Sequence, residues 1–468
     1  MPSTLTPSKT TFPTLMKRLS LTVSLILGAV AALRAEAPPV RGTLPEDYVP
    51  SLGPLLKEAV ERSPRTIEAS LNLAHSEGDK YVYASSLWPQ LSGSSDYAVN
   101  TASQSHEKSS TGKGIFYAVA LNQPLFQWGA LKNNARVGEL AEKISAKQYA
   151  DVYRQLAVEI RGQYISLIEK KISLRNARYN QKLNTDNRDI IKSRVATGAA
   201  SPAELSGADL SLQEATLSAD QTAEDFAYAK RVFSRLVGVD DLSDESIPND
   251  LPHPEFSAPL ADAVLAGFVG NGVESTFQSE VYKMLIEQQD LNYTIAKVRL
   301  LPKVSAAATY MLSNATVPSG GTVSQYAVSS ENYSVQANWS IFDGFATRGA
   351  KLQSLALKRT YEQQRKEYVD ATIDKVHYLR RQLDLASRAM TLSEVHRALI
   401  ESDVNRIKKD VSLGFTSQAA VDQSLVGLYS NDYNQATARG SYLSQWTEFV
   451  SVTGIDPALE NLPARYVK

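Results

Sequence analysis

The spacing of apolar residues along the chain changes from helical to alternating and back, and it does so twice. Apolar residues three or four positions apart predict helix over 52–87, and Trp88-Pro89 ends it. Strict alternation of apolar and polar residues then predicts a hairpin over 88–126. The next stretch, 127–197, has no proline and keeps a helical period, so at ~1.5 Å per residue it predicts one helix about 105 Å long.

The sequence also marks a tight turn and a helix that runs back from it. Gly198 permits a sharp reversal, and Ser201 is a suitable N-cap for a return helix over 201–237. These elements make up a first repeat, 38–240. An acidic, proline-bearing and aperiodic stretch, 241–256, indicates a linker after it.

A second repeat over 257–456 has the same order of elements. We predict helical segments, a hairpin over 302–342, a long helix over 343–412 and a return helix over 417–453, followed by a C-terminal tail, 457–468. One constant offset of 216 residues relates the motifs 124–127, 197–201 and 237–240 to 340–343, 413–417 and 453–456. Because an insertion into a helix that is packed along its length would rotate everything beyond it, the constant offset favours long paired helices.

Four predicted strands of roughly ten to twelve residues are long enough to cross a membrane when tilted. Four strands cannot close a barrel, since the smallest barrel has eight, and lipid does not tolerate an open sheet edge. The sheet must therefore be shared between chains, and three chains would supply twelve strands. The predicted fold class is mainly helical with a membrane β-barrel, arranged as a trimeric tube with a long antiparallel coiled-coil tunnel. A secreted coiled-coil scaffold without a pore is the rival architecture.

The N-terminus has the layout of a secretory signal peptide. Lys17-Arg18 precedes an apolar stretch, and Ala35-Glu36-Ala37 carries small residues two positions apart, so we predict a signal peptide over 1–37. Met16 lies directly before the basic pair, which leaves Met1 or Met16 as the start. The 468 residues contain no cysteine, which excludes disulfides and thiolate chemistry.

Composition and motifs give little support to an enzyme. The formal net charge is -1, so nothing directs the chain towards nucleic acid. The five histidines are scattered, and the sequence contains no His-x3-His pair, no P-loop and no GxSxG motif. We predict no enzymatic activity, no cofactor and no metal site.

Short motifs in a symmetric order give the chain a family resemblance. They are Glu58-Ala59-Val60 with Ser63-Pro64, Trp88-Pro89-Gln90-Leu91, Pro124-Leu125-Phe126 with Gly129, Gly198 with Ser201, Ile341-Phe342-Asp343-Gly344, Gly414 with Ser417, and Gly454. With these motifs the chain resembles the TolC-like outer-membrane efflux family. The resemblance implies a homotrimer embedded in outer-membrane lipid, with a helical tunnel through the periplasm that docks on a periplasmic adaptor protein and an inner-membrane pump. It implies export of small toxic compounds.

The resemblance also implies where function lies. The turns between paired helices would dock on the adaptor, through Val195, Gly198, Ser201, Val411, Gly414 and Ser417. For each residue taken singly a purely structural role in the turn remains open, since glycine and serine would be needed there anyway. Acidic side chains just after the turns would line the closed aperture. Glu204 lies at that position in the first repeat. The second repeat has Ala420 and Gln423 where relatives carry aspartate, and its nearest acidic residue, Asp422, directly precedes Gln423. An acidic ring of Glu204 with Asp422 and a solvated Asp422 both remain open.

One alternative function is an exit duct for polypeptides in type I secretion. The sequence does not separate it from export of small compounds, because neither motif nor composition reports what passes through a tunnel.

Overall fold

The computed structural model describes residues 44–102, 110–319 and 322–456. The predicted signal peptide, 1–37, and the predicted tail, 457–468, lie outside the described residues and stay predictions.

The first repeat contains short helices, a hairpin and two long helices. Its elements are α1 (Pro45–Tyr48), α2 (Leu52–Arg62), α3 (Pro64–Ala84), a 3₁₀ turn (Ser85–Leu87), β1 (Gln90–Ala102), β2 (Ser110–Phe126), α4 (Ala130–Ala196) and α5 (Pro202–Val237). The break between α2 and α3 lies at Ser63, whose backbone is extended, and Pro64 begins the next helix. Thr66 spans this break because its hydroxyl donates to the Ala59 and Ser63 carbonyl oxygens at 3.2 and 2.9 Å.

The second repeat follows the same order after a 3₁₀ turn at Asp244–Ser246. Its elements are α6 (Ala258–Gly267), a π turn (Phe268–Gly272), a 3₁₀ turn (Val273–Ser275), α7 (Phe277–Lys297), β3 (Lys303–Ser319), β4 (Thr322–Asn338), α8 (Ala346–Ser412) and α9 (Gln418–Val452). Among the helices of the described ranges, none is both long and apolar enough to cross a membrane.

The long helices α4 and α8 match residue for residue. Each has 67 residues, and α8 begins and ends 216 residues after α4. The helices before the strands, α3 and α7, each have 21 residues, but their starts at Pro64 and Phe277 differ by only 213 positions. The three-residue difference therefore arises in the hairpins, and the long helices contain no net insertion.

The four strands form one antiparallel sheet in the order β1-β2-β3-β4. Val119 of β2 lies opposite Gly93 of β1 and Tyr310 of β3, so these residues share one face. That face carries most of the aromatic and aliphatic side chains, including Leu91 and Tyr333, whereas the other face carries mainly small and polar residues. The alternation predicted from the sequence is confirmed.

The strands are longer than predicted. β1 has 13 residues and β2, β3 and β4 have 17 each, in place of ten to twelve. The second hairpin, predicted over 302–342, has a last strand that ends earlier, because β4 ends at Asn338. Directly after it the Trp339 indole donates to the Leu300 carbonyl oxygen at 2.9 Å, which ties the chain to the turn between α7 and β3.

Two consecutive left-handed residues connect strands to long helices in each repeat. Trp128 and Gly129 have φ of 55° and 83°, and the corresponding Gly344 and Phe345 have 63° and 68°. The glycine and the aromatic residue exchange places, yet the backbone path is the same. A left-handed aromatic residue is costly, so the junction geometry is maintained against local preference. The Trp128 indole donates to the Pro302 carbonyl oxygen at 2.7 Å and holds its ring in place.

The elements pack as layers that are four elements wide. In the half of the long helices nearer the sheet, the helices neighbour one another in the order α3-α4-α7-α8. In the half nearer the glycine turns, the order is α5-α4-α9-α8. The sheet is ordered in the same way, with β1 at one edge and β4 at the other. In every layer one edge belongs to the first repeat and the opposite edge to the second.

A buried charge cluster ties both ends of the described chain to α4. The Arg161 guanidinium donates to Glu46 at 2.8 Å and to Asp456 at 2.5 and 2.9 Å, and the Arg161 and Asp456 side chains are completely buried. Burial alone would lower the pKa of Arg161, but the hydrogen bonds and charges of Asp456 and Glu46 raise it. The guanidinium is therefore charged and fully paired.

Candidate docking tips and aperture

The first turn, between α4 and α5, is a tight reversal built around Gly198. Gly198 has φ of +75°. Its N–H donates to the Val195 carbonyl oxygen at 3.0 Å, and the Ala199 N–H donates to the Arg194 carbonyl oxygen at 2.7 Å. This pair of hydrogen bonds is the Schellman motif, which satisfies the last carbonyl groups of a helix.

The second turn, between α8 and α9, repeats this geometry. Gly414 has φ of +79°. Its N–H donates to the Val411 carbonyl oxygen at 3.0 Å, and the Phe415 N–H donates to the Asp410 carbonyl oxygen at 2.9 Å. A Cβ added at either tip glycine would meet no atom within 4 Å. Backbone conformation, and not lack of space, therefore requires glycine at both turns.

The two return helices begin with unequal caps. The Ser201 hydroxyl accepts from the Glu204 N–H at 3.2 Å, and the Glu204 carboxylate accepts from the Ser201 N–H at 3.3 Å, which completes a capping box. At the second turn Ala420 replaces the glutamate, and the Ser417 side chain makes no cap hydrogen bond. The start of α5 is therefore better satisfied than the start of α9.

The predicted aperture residues lie near the turns in different surroundings. Glu204 is exposed and its carboxylate is engaged by Ser201. Asp422 is half-buried and accepts a hydrogen bond from the Gln418 amide at 3.2 Å. No hydrogen bond or ion pair joins Glu204 to Asp422 within the described part of the chain. Their role as an acidic ring stays a prediction.

Above the turns, a cluster of aromatic and charged side chains connects α4 of the first repeat to α9 of the second. The Asn176 amide donates to the Tyr429 carbonyl oxygen at 2.7 Å. The Tyr179 and Tyr429 rings pack edge to face, with their centroids 4.5 Å apart. Burial raises the pKa of Tyr179, and the Asp422 carboxylate adds to this rise. Asp422 is therefore close to the cluster between the two helical hairpins.

The tips differ in apolar exposure, which sequence reasoning missed. At the second tip Leu413 and Phe415 are 57% and 79% exposed. The corresponding first-tip residues are Thr197 and Ala199. The position after each tip glycine was the available signal, because a Schellman turn places that side chain at the outer end of the hairpin.

The connection between paired helices also differs just above the tips. The Arg188 guanidinium of α4 donates to the Asp209 carboxylate of α5 at 2.9 Å. The residues 216 positions later are Val404 and Leu425, and Val404 is buried. One hairpin is thus held by an ion pair at the level where the other has apolar residues.

Residues 55–231 of the chain match the family described as outer membrane efflux protein. The predicted resemblance is therefore confirmed. No curated protein matches the chain.

Solved outer-membrane channels share the fold of nearly the whole chain. The CmeC channel of Campylobacter jejuni superposes with a TM-score of 0.70 at 13% identity, covering 92% of this chain and 93% of CmeC. The OprN channel gives 0.68 at 15% identity over 91% and 95% of the two chains. The open-state MtrE channel of Neisseria gonorrhoeae gives 0.66 at 13% identity over 86% and 89%. The predicted fold class is confirmed, and identities this low show the fold alone.

Proposed function

We propose that this chain assembles as a homotrimeric channel-tunnel in the outer membrane and exports small toxic compounds as the exit of a tripartite efflux system. The observation that carries the proposal is the four-stranded sheet, whose edge strands β1 and β4 each have one free side among the described residues. The sheet lies at one end of two equal helices, and matched turns lie at the other end. A sheet of this kind closes only when copies share it, because lipid offers no partner for edge N–H and C=O groups.

The two faces of the sheet support a water-filled interior. The face with Val119 and Tyr310 carries side chains suited to lipid, whereas the opposite face is lined by small and polar residues such as Ser94, Ala120 and Ser334. Twelve strands from three copies enclose a lumen that such side chains leave open, while eight strands from two copies would be filled by them.

The two glycine turns form the end of the molecule that would meet a periplasmic adaptor protein, which in turn contacts an inner-membrane pump. Both turns present backbone held in a fixed shape, and the second adds the exposed Leu413 and Phe415. Apolar and aromatic side chains of this kind commonly provide the central contacts of a protein interface. We propose that Glu204 and, less directly, Asp422 line the aperture between the turns.

Solved relatives in fold support the channel role. CmeC, OprN and MtrE are each described as an outer membrane channel. Nothing in the described residues separates small compounds from polypeptides as cargo, so the polypeptide duct of a type I secretion system is the competing outcome of the test.

Complementation of an efflux-deficient strain tests the proposal. The wild-type chain should restore resistance to small toxic compounds, and Gly198→Pro should abolish that resistance while native mass measurement in detergent still finds a trimer. Proline cannot adopt φ of +75° and would distort the turn without touching the sheet. Gly207→Ala, a helical position of α5 with no atom within 4 Å of the added Cβ, is the control and should behave like wild type.

A monomer, or a dimer, in detergent would refute the shared sheet. A trimer that secretes a polypeptide but never restores resistance would support the competing cargo. Loss of trimer and of resistance together in Gly198→Pro would show that the turns serve folding and not docking.

A further inference from the structure

Exposed apolar side chains recur every seven residues on the long helix α8 and on the return helix α5, and each such series is called a column here. On α8 the column is Tyr378, Leu385, Leu392 and Leu399, each between 55% and 70% exposed. On α5 it is Leu210 and Leu217, 57% and 59% exposed, and Glu224 continues it seven residues later. A seven-residue apolar column is the pattern of a helix seam with a partner.

The pseudo-symmetry of the chain identifies what such a column packs against. Within the chain, α4 of the first repeat packs on α9 of the second, which joins a long helix to a return helix. The 216-residue offset makes α8 the equivalent of α4, and α5 the equivalent of α9. The contact α4-α9 therefore has an image, α8-α5, that one copy cannot form because these helices lie at its opposite edges.

Three contacts within the chain define the register of this interface. The Asn176 amide donates to the Tyr429 carbonyl oxygen at 2.7 Å. A Cβ at Gly440 would collide with the Glu169 carboxylate and would come within 2.7 Å of the Ile165 methyl carbon Cγ2. Further up, the Arg154 guanidinium donates to the Ser451 hydroxyl at 2.9 Å.

The images of these residues fall on the exposed edges. Glu169 and Asn176 correspond to Leu385 and Leu392, two members of the exposed α8 column. Gly440 corresponds to Glu224, which continues the α5 column. The exposed residues on α8 and α5 are therefore equivalent to the residues of α4 and α9 that contact each other inside the chain.

The equivalent positions on α8 and α5 carry charges of opposite sign, although neither of the contacts inside the chain is an ion pair. Ile165 against Gly440 becomes Arg381 against Glu224, and Arg154 against Ser451 becomes Asp370 against Arg235. Within the described residues Arg381, Asp370 and Arg235 form no ion pair, and Glu224 pairs only with Arg231 of its own helix at 2.7 Å. Charge complementarity of this kind selects one partner and one register.

We propose that α8 of one copy packs against α5 of the next copy in the register of the α4-α9 contact. Arg381 then faces Glu224 of the next copy, Asp370 faces Arg235 of the next copy, and Leu392 packs beside Leu217 of the next copy. The interface is head-to-tail, which closes into a ring. Because Glu224 occupies the position equivalent to Gly440, α8 and α5 of the next copy lie further apart here than α4 and α9 do. The inference deepens the proposed function, since it rests on the ring of copies proposed there.

Cysteine crosslinking tests the register, and a chain without cysteine gives no background. The double variant Arg381→Cys with Glu224→Cys should yield covalently closed trimers on oxidation or with a short bismaleimide, because the small side chains bring the Cβ atoms towards the range of a disulfide. Each single variant should stay uncrosslinked, because a head-to-tail interface does not place a residue beside the same residue of the next copy. Arg381→Cys with Leu217→Cys, displaced by one heptad or about 10 Å, is the register control.

The register would be overturned if trimers form in detergent but Arg381→Cys with Glu224→Cys gives no crosslink. It would also be overturned if Arg381→Cys with Leu217→Cys does crosslink. Either result would leave the proposed channel function standing. Absence of any trimer would refute the proposed function itself. Charge reversal gives a second readout that does not depend on cysteine geometry. Arg381→Glu should lower the temperature at which trimers dissociate, and adding Glu224→Arg should restore it. No restoration would overturn the ion pair.

Discussion

The carboxylate of Glu204 has two separable roles, one as a helix cap and one as a charge at the proposed aperture. Glu204→Gln keeps a side-chain oxygen that can accept from the Ser201 N–H, so the capping box survives while the charge is lost. Glu204→Ala removes both. The pair of variants therefore distinguishes electrostatics from cap stability, which a single alanine substitution cannot do.

The expected magnitudes differ for the two roles. Two unit charges 4 Å apart interact by about 1 kcal/mol in water, so a divalent cation gains about 2 kcal/mol per carboxylate. That corresponds to roughly a 30-fold change in its dissociation constant before salt screening. Loss of a helix cap costs about 1 kcal/mol per copy. Both variants should therefore weaken cation block equally, and only Glu204→Ala should also destabilise the start of α5.

Planar-bilayer recordings with divalent and trivalent cations measure the block. Glu204→Gln should raise single-channel conductance and lower cation block, and Asp422→Asn should do so only if Asp422 also faces the lumen. Glu214→Gln, an exposed carboxylate further along α5, is the control and should leave both values unchanged. Unchanged conductance and block in both Glu204 variants would show that other residues close the tunnel.

Three further predictions follow from buried or capping groups. Asp456→Asn should lower the free energy of unfolding by about 3–5 kcal/mol, measured by denaturant titration, because it leaves Arg161 buried with half of its counter-charge. Ala420→Glu should stabilise the second tip by about 1 kcal/mol, seen as slower amide hydrogen exchange at the start of α9, because it gives Ser417 the partner it lacks. Burial raises the pKa of Glu169 to about 7, so its protonated form is favoured by folding. The stability contribution of Glu169 is thus full below its unfolded pKa of about 4.3 and is lost as pH rises through 7, and Glu169→Gln should flatten this slope.

Each of these predictions has a control or an outcome that contradicts it. Asp290→Asn breaks an exposed ion pair with Lys358 and should cost less than about 1 kcal/mol. A cost for Asp456→Asn no larger than this would refute the importance of the buried cluster. Unchanged exchange in Ala420→Glu would show that α9 begins without need of a cap. A pH slope that persists in Glu169→Gln would assign the titration to another group.

The sequence predicted the large features of the fold because periodicity and turn chemistry are local. Gly198 and Ser201 identify their turn and cap from residue type alone, and the structure places them as expected in the turn. Strand lengths were underestimated, because the alternation weakens towards the loops where small polar residues occupy both faces. Directly after β4, Trp339 donates a hydrogen bond to Leu300, a contact between residues 39 positions apart that no local pattern reports.

The candidate site was less accessible to sequence reasoning. Nothing in a linear pattern shows that the Glu204 carboxylate is engaged by Ser201, or that Asp422 lies near Tyr179 of the other repeat. The exposed columns on α5 and α8 were also missed, because a heptad pattern predicts a seam without saying whether its partner lies in the same chain. That distinction requires the order of helices in space.

The equal length of α4 and α8 has a consequence for how such a tunnel can change its reach. Each helix spans 67 residues, or about 100 Å, so the turns of both repeats end at one level. An insertion in one repeat alone would leave half of the turns out of plane and would rotate every seam residue beyond it. A longer or shorter tunnel therefore requires the same change in both repeats at once, in whole heptads of about 10 Å. The length of the helical part of the molecule can vary only in steps, and each step must be taken twice.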